Sequence, residues 1–465
     1  MKHGKSEYIT EGPILPSLVK LAVPIMIGQL IHTLYNLIDT LWVGKLGAEA
    51  VAAVSISFPI VFLMISLAAG MAMAGTSLIA QNKGAGMDEE VDKILGQSFS
   101  FIGILSLILA FVGVIFSKQF IIWMGAEAQI IGDATGYLRI IFIGIPFMFV
   151  FFIFSASLRG LGNTVTPMLL TLFSVGINII LDPLLIFGIG PFPELGVQGA
   201  ALATIISRIV VALYALVNLI SGRKNIRLRL GYLKFDLKII KKIVSIGVPS
   251  SIQQSMLSVA QIIMTAMVAT FGTATLAAYG IGNRIISVVS MLIMGISTAT
   301  TTMVGQNIGA EKKDRAERIS RISILLTFVA LTVIGIFVFI MPRQIIATFN
   351  KQEQVLIYGS SFLKINALFF GIMGVRMIVI GIFRGAGKTT TTMILAIITF
   401  GILRIPMIYV FSRTLGFQQT GIWWGIAISD AIATIISMIW LKMSNWSENI
   451  LVEKKDSNRD DLEMA

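Results

Sequence analysis

Apolar residues run along this chain in long uninterrupted stretches, broken by short clusters of charge, glycine and proline. Each stretch is about twenty residues, the length an α-helix needs to cross about 30 Å of hydrocarbon. About twelve can be counted, beginning near Leu15, Val51, Ile94, Thr135, Thr166, Gly199, Ile243, Ala274, Ile319, Tyr358, Thr390 and Gly421. Each stops at a charged or Gly/Pro-rich break. Short segments of period-2 alternation are absent, which excludes a membrane β-barrel. The pattern therefore predicts an all-α integral membrane fold of twelve transmembrane helices.

The pattern also repeats. A shift of 225 carries Pro24 to Pro249, Gly47 to Gly272, Ala52-Ala53 to Ala277-Ala278 and QNKGA (81–85) to QNIGA (306–310). The same shift carries Tyr137-Leu138-Arg139 to Phe362-Leu363-Lys364 and RGLGNT (159–164) to RGAGKT (384–389), so a constant register is expected. Each half then holds about six helices, and because six is even the halves share one orientation, related by an axis along the membrane normal. RGAGKTT superficially resembles a phosphate-binding loop, but Gly381 leaves five residues before Gly387-Lys388 where that loop needs four, and RGLGNT matches it in the other half. A repeated helix-helix turn is the better reading.

Composition agrees. Of 465 residues, 56% are apolar and 13% charged, too few solvated groups to cover a soluble domain of this size. Arg223, Lys224, Arg227, Arg229, Lys234, Lys238, Lys241 and Lys242 cluster between helices six and seven, and Lys312, Lys313, Arg315 and Arg318 follow helix eight. The opposite loops, 188–197 and 271–274, carry almost no positive charge. Basic loops remain cytoplasmic, so both termini are expected inside a multi-pass protein of the cytoplasmic membrane. The net charge of +12 is then this loop bias, with anionic membrane lipid as the expected partner and not nucleic acid. Residues 1–16, with Lys2, Lys5, Glu7 and Glu11, have no apolar core or cleavage site, so a removed signal peptide is not expected. Zero Cys excludes disulfides and thiol chemistry. The expected division is a cytoplasmic segment 1–14, a first lobe 15–220, a basic linker 221–240, a second lobe 241–442 and a polar, disordered cytoplasmic tail 443–465.

Against a repeated scaffold, a polar residue present in one half only is a candidate for function. Asp39 faces Met264 across the 225 shift, and Asp182 faces Met407. A carboxylate inside a spanning helix is costly and normally faces a protein interior or aqueous cavity. Gly28, His32, Asn36 and Asp39 form a polar stripe on helix one, with Tyr35 a turn before Asp39. Asn178 precedes Asp182 by four residues on helix five, and Thr204 of helix six reaches the same depth. Carboxylate, amide and hydroxyl oxygens at one level can coordinate a hard cation such as Na⁺ or hold a proton shared between carboxyls. Pro24 and Pro183 are expected to break helices one and five, freeing carbonyls and offering places to bend.

In the second half Gln254, Ser258 and Gln261 form a neutral stripe suited to substrate hydrogen bonding. Arg284 and Asp430, at comparable depth, are expected to pair and neutralise each other. Arg208, one turn below Thr204, has no assigned role. The 23 Met and 29 Phe could line a soft cavity for varied lipophilic substrates. A membrane enzyme would need a catalytic constellation that a chain with only His3 and His32 and no Cys does not offer. A passive channel fits poorly with a one-sided carboxylate pair.

LAVPIMIGQLIHTLYNLIDTLWVGKLG (21–47), the RGLGNT/RGAGKT pair and GINIILDP (176–183) resemble the multidrug and toxic compound extrusion (MATE) family, and within it the DinF-like branch. The resemblance implies two six-helix lobes arranged as a V, alternating access, and export of lipophilic organic cations in exchange for Na⁺ or H⁺, without a further cofactor and as a monomer. It places the coupling site on Asp39, Asn178, Asp182 and Thr204, supported by Tyr35, Asn36 and Tyr137, with Pro24 as the bending point. Another branch carries an acidic residue in helix seven where this chain has Gln253 and Gln254, so coupling through the second lobe is not expected. A flippase for lipid-linked glycans shares the helix count and repeat, and would line its cavity with more cationic residues.

Overall fold

A computed structural model describes residues 5–222, 226–448 and 451–452. Among these there is no strand, and the chain is a multi-pass membrane protein of twelve spans. They are Ile14–Gly44, Ala48–Gly84, Asp88–Trp123, Ile131–Gly160, Val165–Phe187, Gly196–Ser221, Leu237–Ala269, Thr273–Gly309, Lys313–Ile340, the pair Glu353–Ala367 and Phe370–Gly385, then Thr389–Thr414 and Gln418–Met443, referred to below as spans 1 to 12. Span 10 is the pair, bent by 54° at its break. Most spans exceed the twenty residues that hydrocarbon requires, because their charged ends continue as helix into the interface.

Glycines punctuate the helices where the backbone turns left-handed. Gly188 and Gly222 end spans 5 and 6 at φ 66° and 68°, a conformation that costs other residues more than glycine. Span 7 is started by Asp236, whose carboxylate accepts from the backbone N–H groups of Lys238 and Ile239. The linker ahead of it is not a loose basic tether: 230–233 form a 3₁₀ turn, and Gln97 of span 3 donates to the carbonyls of Tyr232 and Lys234 at 2.7 and 2.6 Å. Arg223 and Lys224 of that linker lie outside the described residues, as do Lys2, His3 and 453–465.

The nearer part of the tail departs from expectation. Trp446 and Leu451 are each 8% exposed, and the Leu451 side chain covers Gly387 of the RGAGKT turn. Burying a leucine stabilises by about 1.5–3 kcal/mol, enough to hold a short polar segment in place. At the other terminus a helix, Lys5–Thr10, sets Ile9 against Gly162 of the RGLGNT turn.

Each half has its own apolar core, the second centred on Trp423, stacked beside Tyr279 and edge-on to Phe362. Spans 1 and 7 change partner along their length. Near the basic face span 1 crosses to the second half, where Met26 and Ala22 press on Gly295. Span 7 crosses reciprocally, with Ser251 against Gly70 and Gly247 against Met71. Farther along, Tyr35 and Trp42 of span 1 contact Thr204 and Phe187 of the first half, and Gln261 of span 7 reaches Tyr279 of the second. The halves therefore meet toward the basic loops and diverge toward the opposite face.

The meeting surface is symmetric. Gln81 donates through Nε2 to the carbonyl of Gly385 at 2.8 Å, and Gln306 donates to that of Gly160 at 2.8 Å. Gly84 packs on the Gln306 backbone and Gly309 on that of Gln81. All six positions obey the 225 shift. Past Thr389 the register slips, contrary to the constant shift expected. Gly199 lies against the backbone of Leu185 and Gly421 against that of Phe411; the hydroxyl of Ser207 donates to the Thr204 carbonyl and that of Ser429 to the Ile426 carbonyl, both at 2.8 Å. Matching these contacts makes the shift 226 in span 11 and 222 in span 12. π-helical turns at Ile397–Arg404 and Val410–Thr414 supply the extra residue, and the following loop is shorter. Asp182 is thus opposite Ile408 and not Met407, Asn178 is opposite Arg404, and Arg208 is opposite Asp430.

Candidate functional site

The 3.6-residue period sets Asn178 and Asp182 one above the other on span 5, and Asn178 Nδ2 donates to Asp182 Oδ1 at 3.0 Å. Both are buried, Asp182 completely. Across from them Tyr35 of span 1 shares a hydrogen bond of 2.8 Å with the Thr204 hydroxyl of span 6. Asp39 lies one turn beyond Tyr35 on span 1. Tyr137 packs beside the Ile141, Ala201 and Ile205 cluster that floors this region.

Three oxygens here are buried and have no donor among the described residues: Asp39 Oδ1, Asn178 Oδ1 and Asp182 Oδ2. Among the described residues neither carboxylate has a cationic partner. An unpaired buried acceptor loses its solvation without recompense, and two carboxylates at one depth multiply that cost. The donor set is all oxygen, which suits Na⁺ or protons and not a soft metal. Asp39 also lines a cavity of about 260 Å³ with Thr40, Ser55 and Phe58 between spans 1 and 2.

The rest of the polar stripe adjoins this cluster. Asn36 is exposed and pairs with His32, Nδ2 to Nδ1, at 3.4 Å, and the His32 ring lies 6.0 Å from that of Tyr35. Pro24 and Pro183 do not break their helices: spans 1 and 5 run through them. Each proline still removes one backbone donor and leaves a carbonyl a turn earlier without its helical partner. Arg208 does not turn to Asp182 but lies over the Phe151 ring at 6.0 Å.

In the second half the buried Gln253 accepts from the Arg384 guanidinium of the RGAGKT turn at 3.0 Å, and Gln254 Oε1 lies 3.5 Å from the same group. Gln261 alone of the neutral stripe opens onto a cavity, about 520 Å³, enclosed by spans 7, 8, 10, 11 and 12. Asp430 does not pair with Arg284, which is exposed. Its Oδ1 instead takes Arg376 at 3.0 Å and Arg404 at 2.5 Å. Sequence reasoning missed both arginines because they lie on spans 10 and 11, where a bend and π-helical turns spoil any depth estimate from residue counting.

With this geometry in hand, comparison with known proteins is direct. The MatE family model matches residues 24–184 and again 249–410, once in each half. The chain is 30% identical over 432 residues to the probable multidrug resistance protein YoeA of Bacillus subtilis, covering 90% of this chain and 93% of that one. It is 27% identical to the multidrug export protein MepA of Staphylococcus saprophyticus, covering 94% and 96%. A solved outward-facing conformation of a multidrug resistance MATE family transporter of the MOP superfamily superposes with a TM-score of 0.88 at 27% identity, covering 95% of this chain and 98% of that one.

Proposed function

Because this chain belongs to the MatE family, we propose that it is a secondary antiporter that exports lipophilic organic cations in exchange for Na⁺ or H⁺, coupled through Asp39 and Asp182. The observation that carries the reading is the trio of donorless buried oxygens on Asp39, Asn178 and Asp182. Export itself is supported by what the relatives YoeA and MepA are named for.

The basic loops support a cytoplasmic position for the joined face; on that reading the halves diverge outward, in an outward-open state of a protein of the cytoplasmic membrane. From outside, a cation reaching the oxygen cluster compensates carboxylates that are otherwise desolvated and unpaired. That compensation favours one arrangement of span 1, which carries Asp39 and Tyr35 and is joined to span 6 by the hydrogen bond of Tyr35 and Thr204. Pro24, where span 1 crosses to the second half, is the place where it bends. Substrate is released outward as the ion binds. By linkage, substrate taken from the cytoplasm must weaken ion binding by the same factor, since one equilibrium carries both.

The test is efflux of a fluorescent lipophilic cation from proteoliposomes under an imposed Na⁺ or pH gradient, with Asp39→Asn and Asp182→Asn alongside wild type. Gradient-driven efflux lost in both variants, in protein that still inserts, supports coupling here and identifies the ion. Efflux that survives both substitutions rejects this site. No efflux from wild type shifts the reading to a lipid-linked substrate.

A further inference from the structure

The cavity of the second half contains a charge arrangement that the proposed coupling does not use. Arg376 and Arg404 converge on one oxygen, Oδ1 of Asp430, at 3.0 and 2.5 Å. Both guanidiniums lie over the same ring, Phe400, at 5.7 and 4.8 Å from its centre, and Arg404 Nε donates to the Ser429 hydroxyl at 3.3 Å. Two cations and one anion leave the group with an excess positive charge. Arg376, 5% exposed, also keeps its Nε without a partner. All three charged residues line the cavity, whose other walls include aromatic and methionine side chains beside neutral polar ones such as Asn283 and Asn366.

A net charge in so apolar a place is costly unless something compensates it. The structurally equivalent positions in the first half are Asn178 for Arg404 and Arg208 for Asp430, so the excess cation is particular to this half. The volume, about 520 Å³, is that of a small-molecule pocket. Guanidinium groups bind carboxylates and sulfonates through paired N–H donors, and a cationic ligand would meet the excess positive charge with its best acceptor oxygen already shared.

We propose that this cavity is a binding site for amphipathic organic monoanions: a carboxylate or sulfonate held by Arg404 and Arg376, in competition with Asp430, on an aromatic body seated between Phe400, Tyr279 and Met373. The inference goes beyond the antiport reading, since it concerns a ligand of opposite charge in the other half.

Binding of 2-naphthoate to the purified full-length protein in detergent is measured by equilibrium dialysis against protein-free micelles, alongside its methyl ester. No ion gradient is present, so failure here leaves antiport untouched. Naphthoate is expected to bind at least about tenfold more tightly than the ester, the worth of one charge-assisted hydrogen bond. Arg404→Gln should weaken it about tenfold, and Asp430→Asn, which removes the competing carboxylate, should tighten it. Equal affinity for acid and ester, unchanged affinity in Arg404→Gln, or weaker binding in Asp430→Asn overturns the proposal. Should Arg404→Gln not fold to a monodisperse protein, Phe400→Leu beside Asp430→Asn carries the test: weakened binding of both ligands with the acid preference kept supports it, and loss of that preference only with added salt marks a surface ion effect and rejects it.

Discussion

The two halves are built on one scaffold and hold opposite charge problems. In the first, Asp39 and Asp182 have no ion-pair partner among the described residues, and each keeps a buried oxygen without a donor. In the second, Asp430 is over-supplied, shared by Arg376 and Arg404. The exchange occurs at matching places: Asn178 against Arg404, and Arg208 against Asp430. A site that lacks a cation can respond to a gradient of one, whereas a carboxylate already neutralised internally has little reason to. Duplicated frames have thus diverged in the polar residues near the site, while the glutamine and glycine contacts at the joined face stay alike.

The sharpest way to break this contrast is to neutralise each half in turn. Asp182→Asn is expected to lower gradient-driven efflux by tenfold or more, read as initial rate in proteoliposomes, while Asp430→Asn leaves the dependence of rate on the driving gradient unchanged. If Asp430→Asn uncouples and Asp182→Asn does not, the assignment of the halves is reversed. A smaller effect is expected at the joint. A Cβ at Gly84 would meet the backbone of Gln306, and one at Gly309 that of Gln81, so Gly84→Leu and Gly309→Leu should each cost about 1–3 kcal/mol by overpacking. Spin-label distances across the basic face should lengthen in both variants by similar populations; lengthening in only one would show that the symmetry of the joint is not energetic. Smaller still are the cross-strapping amides. Gln81→Ala and Gln306→Ala should each lower thermal stability by about 1 kcal/mol, and equally, because each loses one 2.8 Å bond to a glycine carbonyl. The smallest is the exposed pair of Glu11 and Lys312 at 3.0 Å: Glu11→Gln should shift stability by under about 1 kcal/mol.

Much of this was legible in the residue pattern, and the reasons differ by feature. The run beginning near Leu15 starts within one residue of span 1, because Pro13 and Pro16 mark the boundary, whereas the run near Ile243 starts six residues late. There the helix begins at Leu237, in lysine-rich sequence that hydropathy reads as loop although helix tolerates it well. The pairing of Asn178 with Asp182 followed from helical spacing alone. The partners of Asp430 did not, because they depend on how spans 10, 11 and 12 pack, and the bend of span 10 at Leu368 and Phe369 has no proline to announce it. The docking of Trp446 and Leu451 was illegible for a similar reason: scattered apolar residues in a polar tail predict contact only once a groove for them exists.

The reciprocal straps at the joined face have an evolutionary implication. Gln81 reaches Gly385 as Gln306 reaches Gly160, so each half offers the other the same two surfaces. A contact of that kind is isologous: a chain of half this length, carrying only the QN-x-GA and RG-x-G turns, has everything needed to pair with a second copy of itself through the same bonds. Fusion of two such copies would have preserved the joint while freeing each pocket to change alone, which is the freedom that the opposite charges of Arg208 and Asp430 record.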